Sequence, residues 1–362
     1  METARFPEGF PTRYWHKLEG GLVACDVCPR RCNVREGQRG FCFVRGNVGG
    51  QMVLLSYGRS SGFCIDPIEK KPLNHFLPGT PVLSFGTAGC NLACKFCQNW
   101  DISKSRDMDS LMEWASPEAI AKVAKERHCR SVAFTYNDPV VFHEYAVDTA
   151  QACHALGVHS VAVSAGYQCV APREEFYRHM DAANIDLKAF SEAFYHRLCG
   201  GHLQQVLETL HYIKHETRTW LEITTLLIPG ENDSTPELEA LTQWVVEHLG
   251  PEVPLHFSAF HPDWKMLDAS PTPAATLLEA RRIAKTNGLR HVYVGNVHCK
   301  EGDSTYCHQC GQLLIGRDRY DLSDWHLTPQ SACDRCGTRC AGVFEASPGR
   351  WGGRRVSVRI DG

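Results

Sequence analysis

From Pro81 onward the chain alternates short β-branched apolar runs with longer amphipathic stretches. The runs are PVLSFGT (81–87), SVAFTY (131–136), HSVAVSAG (159–166), NIDLKAF (184–190), WLEITTLLIPG (220–230), PLHFSAFHP (254–262) and HVYVGN (291–296). Between them lie helix candidates with readable starts at Ser116-Pro117-Glu118, Ser234-Thr235-Pro236-Glu237 and Pro271-Thr272-Pro273, each with a cap residue or a proline in the first turn. Strand and helix alternating at this spacing predict parallel βα units, hence an α/β fold. Six or seven such units fit an open or closed barrel better than a doubly wound sheet.

The flanks read differently. Residues 1–75 are rich in Gly and Arg with little helical periodicity, as expected of a small module held by a metal. After Asn296 the alternation stops and a Cys-, Gly- and Arg-rich tail follows. The expected organisation is therefore an N-terminal Cys-rich module (1–75), a barrel (76–296) and a C-terminal module (297–362).

Thirty-eight Lys and Arg against 41 Asp and Glu leave a net charge of -3. This argues against a protein bound to nucleic acid by backbone electrostatics. No apolar run approaches the length of a membrane-spanning helix. The opening METARFPEGFPTRYW lacks the apolar stretch of a secretory leader, so the expectation is a cytoplasmic protein. In that reducing compartment the 18 cysteines point to metal binding or catalysis rather than to disulfides.

Three clusters carry that chemistry. Cys90, Cys94 and Cys97 form C-x3-C-x2-C directly after the first predicted barrel strand. Gly86, Gly89 and the polar Asn91, Lys95, Gln98 and Asn99 make the segment a loop rather than a buried helix. Three thiolates without a nearby fourth would leave one iron of an iron-sulfur cluster open to a substrate. Cys307, Cys310, Cys333 and Cys336 form C-x2-C-x22-C-x2-C with Gly ending each knuckle, the pattern of a closed zinc ribbon, with a second iron-sulfur cluster or unligated thiols as the alternatives; Cys340 competes as a ligand. Cys25, Cys28, Cys32 and Cys42 form C-x2-C-x3-C-x9-C, for which zinc and an iron-sulfur cluster both remain open. The remaining cysteines read as buried apolar residues, with Cys64, Cys299 and Cys340 least securely so.

Polar residues gather at the C-terminal ends of the predicted strands, where parallel barrels build their sites. They are Asn137 and Asp138, Ser164, Asp186 with Lys188, Glu222 with Thr224, and His256 with Ser258.

The loop motif resembles the signature of radical S-adenosylmethionine (SAM) enzymes, and the segment 69–100 is similar to that of pyruvate formate-lyase activating enzymes. The runs TYNDP, VSAGY, DLKAF, LLIPGENDS, HFSAFHPDWK and YVGN resemble the radical SAM enzyme of the AmmeMemoRadiSam system, over about Cys25 to Cys336. That resemblance implies a partial (β/α)6-type radical SAM barrel and a [4Fe-4S] cluster on Cys90, Cys94 and Cys97. It also implies an electron donor and SAM cleavage to a 5′-deoxyadenosyl radical that takes hydrogen from an unassigned substrate, a protein or a small molecule. It implies contact of the SAM amino group with Asp138, which stands where the family has Glu, or with Asn137. Ser164, Asp186, Lys188 and His256 would complete the cofactor site, and no general acid or base is assigned. The other two proteins of the system are the implied partners. The competing reading is a multi-zinc adaptor or nucleic-acid-binding protein whose clusters are all structural.

Overall fold

The computed structural model describes residues 9–104 and 113–360. Residues 1–8, on which part of the leader expectation rests, lie outside the described residues. At the centre is a nine-stranded sheet. Its strands are β1 (Phe63–Pro67), β2 (Pro81–Phe85), β3 (Ser131–Phe134), β4 (His159–Ser164), β5 (Ala182–Asp186), β6 (Trp220–Leu227), β7 (Leu255–Ala259), β8 (Val292–Gly295) and β9 (Val356–Val358). β2 to β8 are parallel and each pairs with the next in the chain. That sequential order, with helices between, is the open α/β barrel expected from the alternation. β8 forms no ladder with β2; instead β1 pairs antiparallel with β2, and β9 antiparallel with β1.

The crossover helices are α1 (Pro117–Glu126), α2 (His143–Ala155), α3 (Val170–Arg178), α4 (Leu203–Glu216), α5 (Thr235–Leu249) and α6 (Ala274–Thr286). Their starts follow local chemistry. Ser116 accepts a hydrogen bond from the Ala119 amide, with Pro117 in the first turn of α1, and Pro236 occupies the same place in α5. Leu210, Ile213, Leu241, Val245, Leu277 and Ile283 bury the inward faces of α4, α5 and α6 against the sheet. Each such side chain removed from water contributes about 1.5–3 kcal/mol.

Register sets up the site. Asp186 lies opposite Thr224, Thr224 opposite His256, and His256 opposite Tyr293. Cross-strand partners share a face, so one polar row crosses four strands, starting at the C-terminal end of β5 and reaching the N-terminal halves of β7 and β8, where His256 lies rather than at the C-terminal end expected of it.

Two three-stranded sheets form the N-terminal part: Phe10–Pro11, Arg45–Val48 and Gln51–Leu54, and Trp15–Lys17, Val23–Cys25 and Asn33–Val34. A buried Arg45–Glu144 ion pair locks this part onto α2, and Arg45 Nε also donates to Val141 O at 3.1 Å. After β8 a three-stranded unit of Thr305–Tyr306, Leu313–Asp318 and Asp321–Trp325 packs beside the barrel. Among the described residues no helix is long and apolar enough to cross a membrane.

Candidate active site

The C-terminal end of β2 runs into the loop that carries Cys90, Cys94 and Cys97. The chain there must approach its neighbours closely. A Cβ on Gly86 would lie 2.4 Å from Thr135 O, and one on Gly89, at φ +81°, would lie 2.0 Å from Cys42 O. Asn137 splints the same loop: its Oδ1 accepts from the Thr87 amide at 2.9 Å, while its Nδ2 donates to Gly89 O at 2.8 Å and Ala88 O at 3.2 Å. Further along, the amides of Ala93 and Lys95 donate to Cys199 O and Leu198 O at 2.7 and 2.9 Å, and Asn91 Nδ2 donates to Tyr167 O at 2.8 Å. The segment is an irregular loop, as its glycines and polar residues indicated.

The three cysteines open on a cavity of about 420 Å³ at the C-terminal ends of the strands. Asn137, Asp138, Ser164, Asp186 and Lys188 line the same cavity. Lys188 Nζ donates to Asp186 Oδ2 at 2.8 Å. Burial opposes its charge, but Asp186 and the sulfurs of Cys94 and Cys199 outweigh burial and hold the Lys188 pKa well above its ordinary value. A hydrogen bond with Cys199, aided by Lys188 and Lys104 against burial, draws the Cys94 thiol down. Burial pushes Cys90 up to about 12, so metal binding there must displace a proton. Three cysteines on one short loop, cations beside them and an adjoining cavity fit a cluster with one open iron.

Asp138 is fully bonded within the protein. Oδ1 accepts from Ser164 Oγ at 2.9 Å and the Val140 amide at 3.1 Å, and Oδ2 accepts from the Ala165 amide at 2.9 Å. It caps the turn that starts at Pro139.

His256 is not brought into this cavity. It lines an adjoining chamber, also of about 420 Å³, which shares Lys70, Thr224, Ser258, Asn296 and Tyr320 with the first. His256 Nε2 lies 2.6 Å from Glu222 Oε2, and its ring stacks on Tyr293. Glu222 also accepts from the Asn74 and His75 amides at 3.0 and 2.7 Å, so it is a buried tie between β6 and the segment before β2. Residues absent from the sequence reading complete the chamber: Glu69, Asp303 and, from the strand Leu313–Asp318 and its turn, Arg317 and Arg319. Thr224 Oγ1, Glu69 Oε2 and Arg317 Nε are buried there without a hydrogen-bond partner, although Arg317 Nε lies 3.9 Å from Glu69 Oε1 in an ion pair. Burial pushes Glu69 up to about 7, despite Arg317 nearby. The run Glu69-Lys70-Lys71 was a visible charge signal, whereas Arg317 comes from a distant module and carried none.

In the C-terminal unit Cys307 Sγ lies 3.5 Å from Cys336 Sγ, and Cys310 Sγ 3.7 Å from Cys333 Sγ. Four sulfurs at about 2.3 Å from one tetrahedral ion would stand roughly 3.8 Å apart, so this set fits zinc. Cys340 stands apart from it, buried 3.9 Å from His75 Nδ1. His75, His291 and Cys340 form a second close group, but both ring nitrogens of His75 are taken, by Ala341 O at 2.6 Å and Tyr293 Oη at 2.5 Å. The N-terminal cysteines Cys25, Cys28, Cys32 and Cys42 surround a small hollow instead.

Comparison with known proteins fixes the class. A protein of Methanocaldococcus jannaschii described only as uncharacterized is 40% identical over 327 residues, 90% of this chain and 97% of that one. The sequence profile of the Radical SAM superfamily matches residues 85–241, from the end of β2 through the cysteine loop and into α5. The chain belongs to the radical SAM superfamily. The pyruvate formate-lyase-activating enzyme of Clostridium pasteurianum is 23% identical over 159 residues, 42% of this chain and 64% of that one. Among solved structures, a radical SAM methyltransferase from Sphaerobacter thermophilus aligns with TM-score 0.48 and 16% identity, over 66% of this chain and 71% of that one. A domain of a pyruvate-formate lyase-activating enzyme from Bacteroides vulgatus aligns with TM-score 0.41 and 16% identity, over 46% and 99%. The chain is thus a radical SAM enzyme, similar to activating enzymes, whose class implies a [4Fe-4S] cluster, SAM and an electron donor. The adaptor reading is not favoured.

Proposed function

We propose that this radical SAM enzyme binds its cluster through Cys90, Cys94 and Cys97, holds SAM in the cavity beside them, and takes hydrogen from a polar substrate in the adjoining chamber. The observation that carries this is the shared wall: the cysteine loop and the Asp186–Lys188 pair face one cavity, which passes across Thr224 and Ser258 into a chamber lined by His256, Glu69, Asp303 and Arg317. A [4Fe-4S] cluster held by Cys90, Cys94 and Cys97 would supply the one-electron reduction that splits SAM at its sulfur–C5′ bond into methionine and a 5′-deoxyadenosyl radical. The chain supplies position and exclusion of water. Lys188 and Asp186 present complementary charges to the SAM carboxylate and amino group. Asn137 holds the loop, while Asp138 and Ser164 fix the turn beside it. His256, held by Glu222, faces the substrate side.

The C-terminal unit holds zinc as a closed structural site, and residues 1–75, 76–296 and 297–362 are the three working parts, with β1 and β9 crossing into the central sheet. Membership of the AmmeMemoRadiSam system, with its other two proteins as partners, rests on the sequence resemblance over about 25–336. A cytoplasmic setting agrees with 18 cysteines of which eleven fall into clusters with metal-ligand spacing. The test is product analysis: anaerobic reduced enzyme with SAM and candidate substrates deuterated at the reacting position should yield deuterated 5′-deoxyadenosine. Absence of iron and of SAM cleavage in intact protein would sink the reading.

A further inference from the structure

Tetrahedral zinc draws its sulfurs together, and the C-terminal four obey that rule. The N-terminal four do not. Among the described residues only the ribbon cysteines and the His75, His291 and Cys340 group bring three or more ligand atoms within 4.8 Å of one another. Cys25, Cys28, Cys32 and Cys42 instead stand around a hollow whose wall includes Met52, Val140 and Val141. Backbone amides approach each sulfur: Phe41 N lies 3.4 Å from Cys32 Sγ, and the amides of Val27, Arg30 and Val44 serve Cys25, Cys28 and Cys42. One zinc ion needs its four sulfurs roughly 3.8 Å apart, whereas a cubane takes a wider set, because each thiolate binds a different corner.

The hollow also reaches the catalytic loop. Asn91, the residue after Cys90, forms part of its wall. The approach of Gly89 to Cys42 O presses the two cysteine loops together, and Arg30 Nη2 donates to Gly200 O at 2.6 Å to clamp the same junction. From this geometry we infer that Cys25, Cys28, Cys32 and Cys42 hold a second, fully ligated [4Fe-4S] cluster next to the SAM-binding one. Four protein thiolates leave no iron open, so this centre takes neither SAM nor substrate. It differs in this from the three-cysteine site, on whose assignment under the proposed function it depends only for that contrast.

The experiment uses full-length protein prepared anaerobically. Wild type should carry about eight irons and one zinc per chain, four irons per cluster. The triple variant Cys90→Ala, Cys94→Ala, Cys97→Ala should keep about four irons, with a dithionite-reduced electron paramagnetic resonance signal that added SAM does not alter. Cys28→Ser should lose about half the iron and leave a signal that SAM does alter. If Cys28→Ser fails to fold, the wild-type metal count and the triple variant decide. A folded triple variant with zinc in place of iron overturns the second cluster. A wild-type signal indifferent to SAM would instead overturn the three-cysteine site, so the two failures are distinguishable.

Discussion

Ser164 Oγ donates to Asp138 Oδ1 at 2.9 Å, while the neighbouring Ala165 amide donates to Oδ2 at 2.9 Å. One carboxylate thus joins the end of β4 to the turn after β3, with every bond directed into the protein. Asp138→Asn places an amide NH2 against a backbone donor on one side or the other. We expect it to cost about 1–3 kcal/mol of stability, seen in thermal denaturation, while SAM affinity of the folded variant changes by less than about threefold. A tenfold or larger loss of affinity at unchanged stability would return Asp138 to direct contact with SAM.

Removing Cys90, Cys94 or Cys97 singly to Ala should abolish SAM cleavage, because a three-thiolate site has no spare ligand. Quantifying 5′-deoxyadenosine from reduced variants checks this, and full turnover by any one of them would refute the ligand set.

Asn137→Ala should loosen the loop without removing a ligand. It leaves the Thr87 amide and the Ala88 and Gly89 carbonyls without their side-chain partner, at about 1–3 kcal/mol. The expected reading is faster iron loss to a chelator, with a normal thiol count. Unchanged iron release would make the splint irrelevant to the cluster.

Cys333→Ser should lower both zinc content and melting temperature, since a four-cysteine site supplies folding energy to its module. SAM cleavage should remain measurable in the folded fraction. Complete loss of cleavage in iron-replete, folded protein would give the ribbon a direct part in the chemistry.

Glu69 gives a pH prediction. Its folded pKa is pushed from the ordinary 4.5 to about 7, mainly by burial. Below 4.5 both folded and unfolded states are protonated; between 4.5 and about 7 only the folded state keeps the proton, so stability falls as pH rises through that window. The loss is roughly 3 kcal/mol at most. Glu69→Gln keeps an acceptor for the Gly79 amide, bonded at 2.7 Å in the native protein, and should flatten stability over that range in denaturant titrations. An unchanged pH slope would assign it to other groups.

The strands were legible because β-branched runs between capped helices leave few alternatives. β5 begins two residues earlier than the run NIDLKAF, at Ala182, because two alanines carry no β signal yet fit a strand buried on both faces. The cysteine loop was legible from spacing and glycines. The tasks of its polar neighbours were not: Asn137 and Asp138 are adjacent in sequence, yet one bonds the cysteine loop and the other bonds β4. That division depends on groups 26 to 50 positions away, the Ser164 hydroxyl and the Ala165 and Thr87 amides. The second chamber was invisible for the same reason, since Arg317 reaches it from a module expected only to hold metal, and donates to Asn74 O across 243 positions. Likewise His256, read as a cofactor contact, meets Glu222 from the next strand before it can meet a ligand.

β9 completes the outer side of the sheet only by pairing with β1, and at that junction Arg355 Nε meets Cys64 Sγ across 291 positions of chain. During synthesis the free edge of β1 must therefore wait, its amides and carbonyls unpaired, while the whole barrel and ribbon emerge. Contacts between segments so far apart form late. An edge strand left open that long is a template for pairing with another nascent chain. For this protein the vulnerable interval lasts until Val356–Val358 have emerged from the ribosome and paired, and a slow or stalled end of translation should raise aggregation more than the stability of the finished fold would suggest.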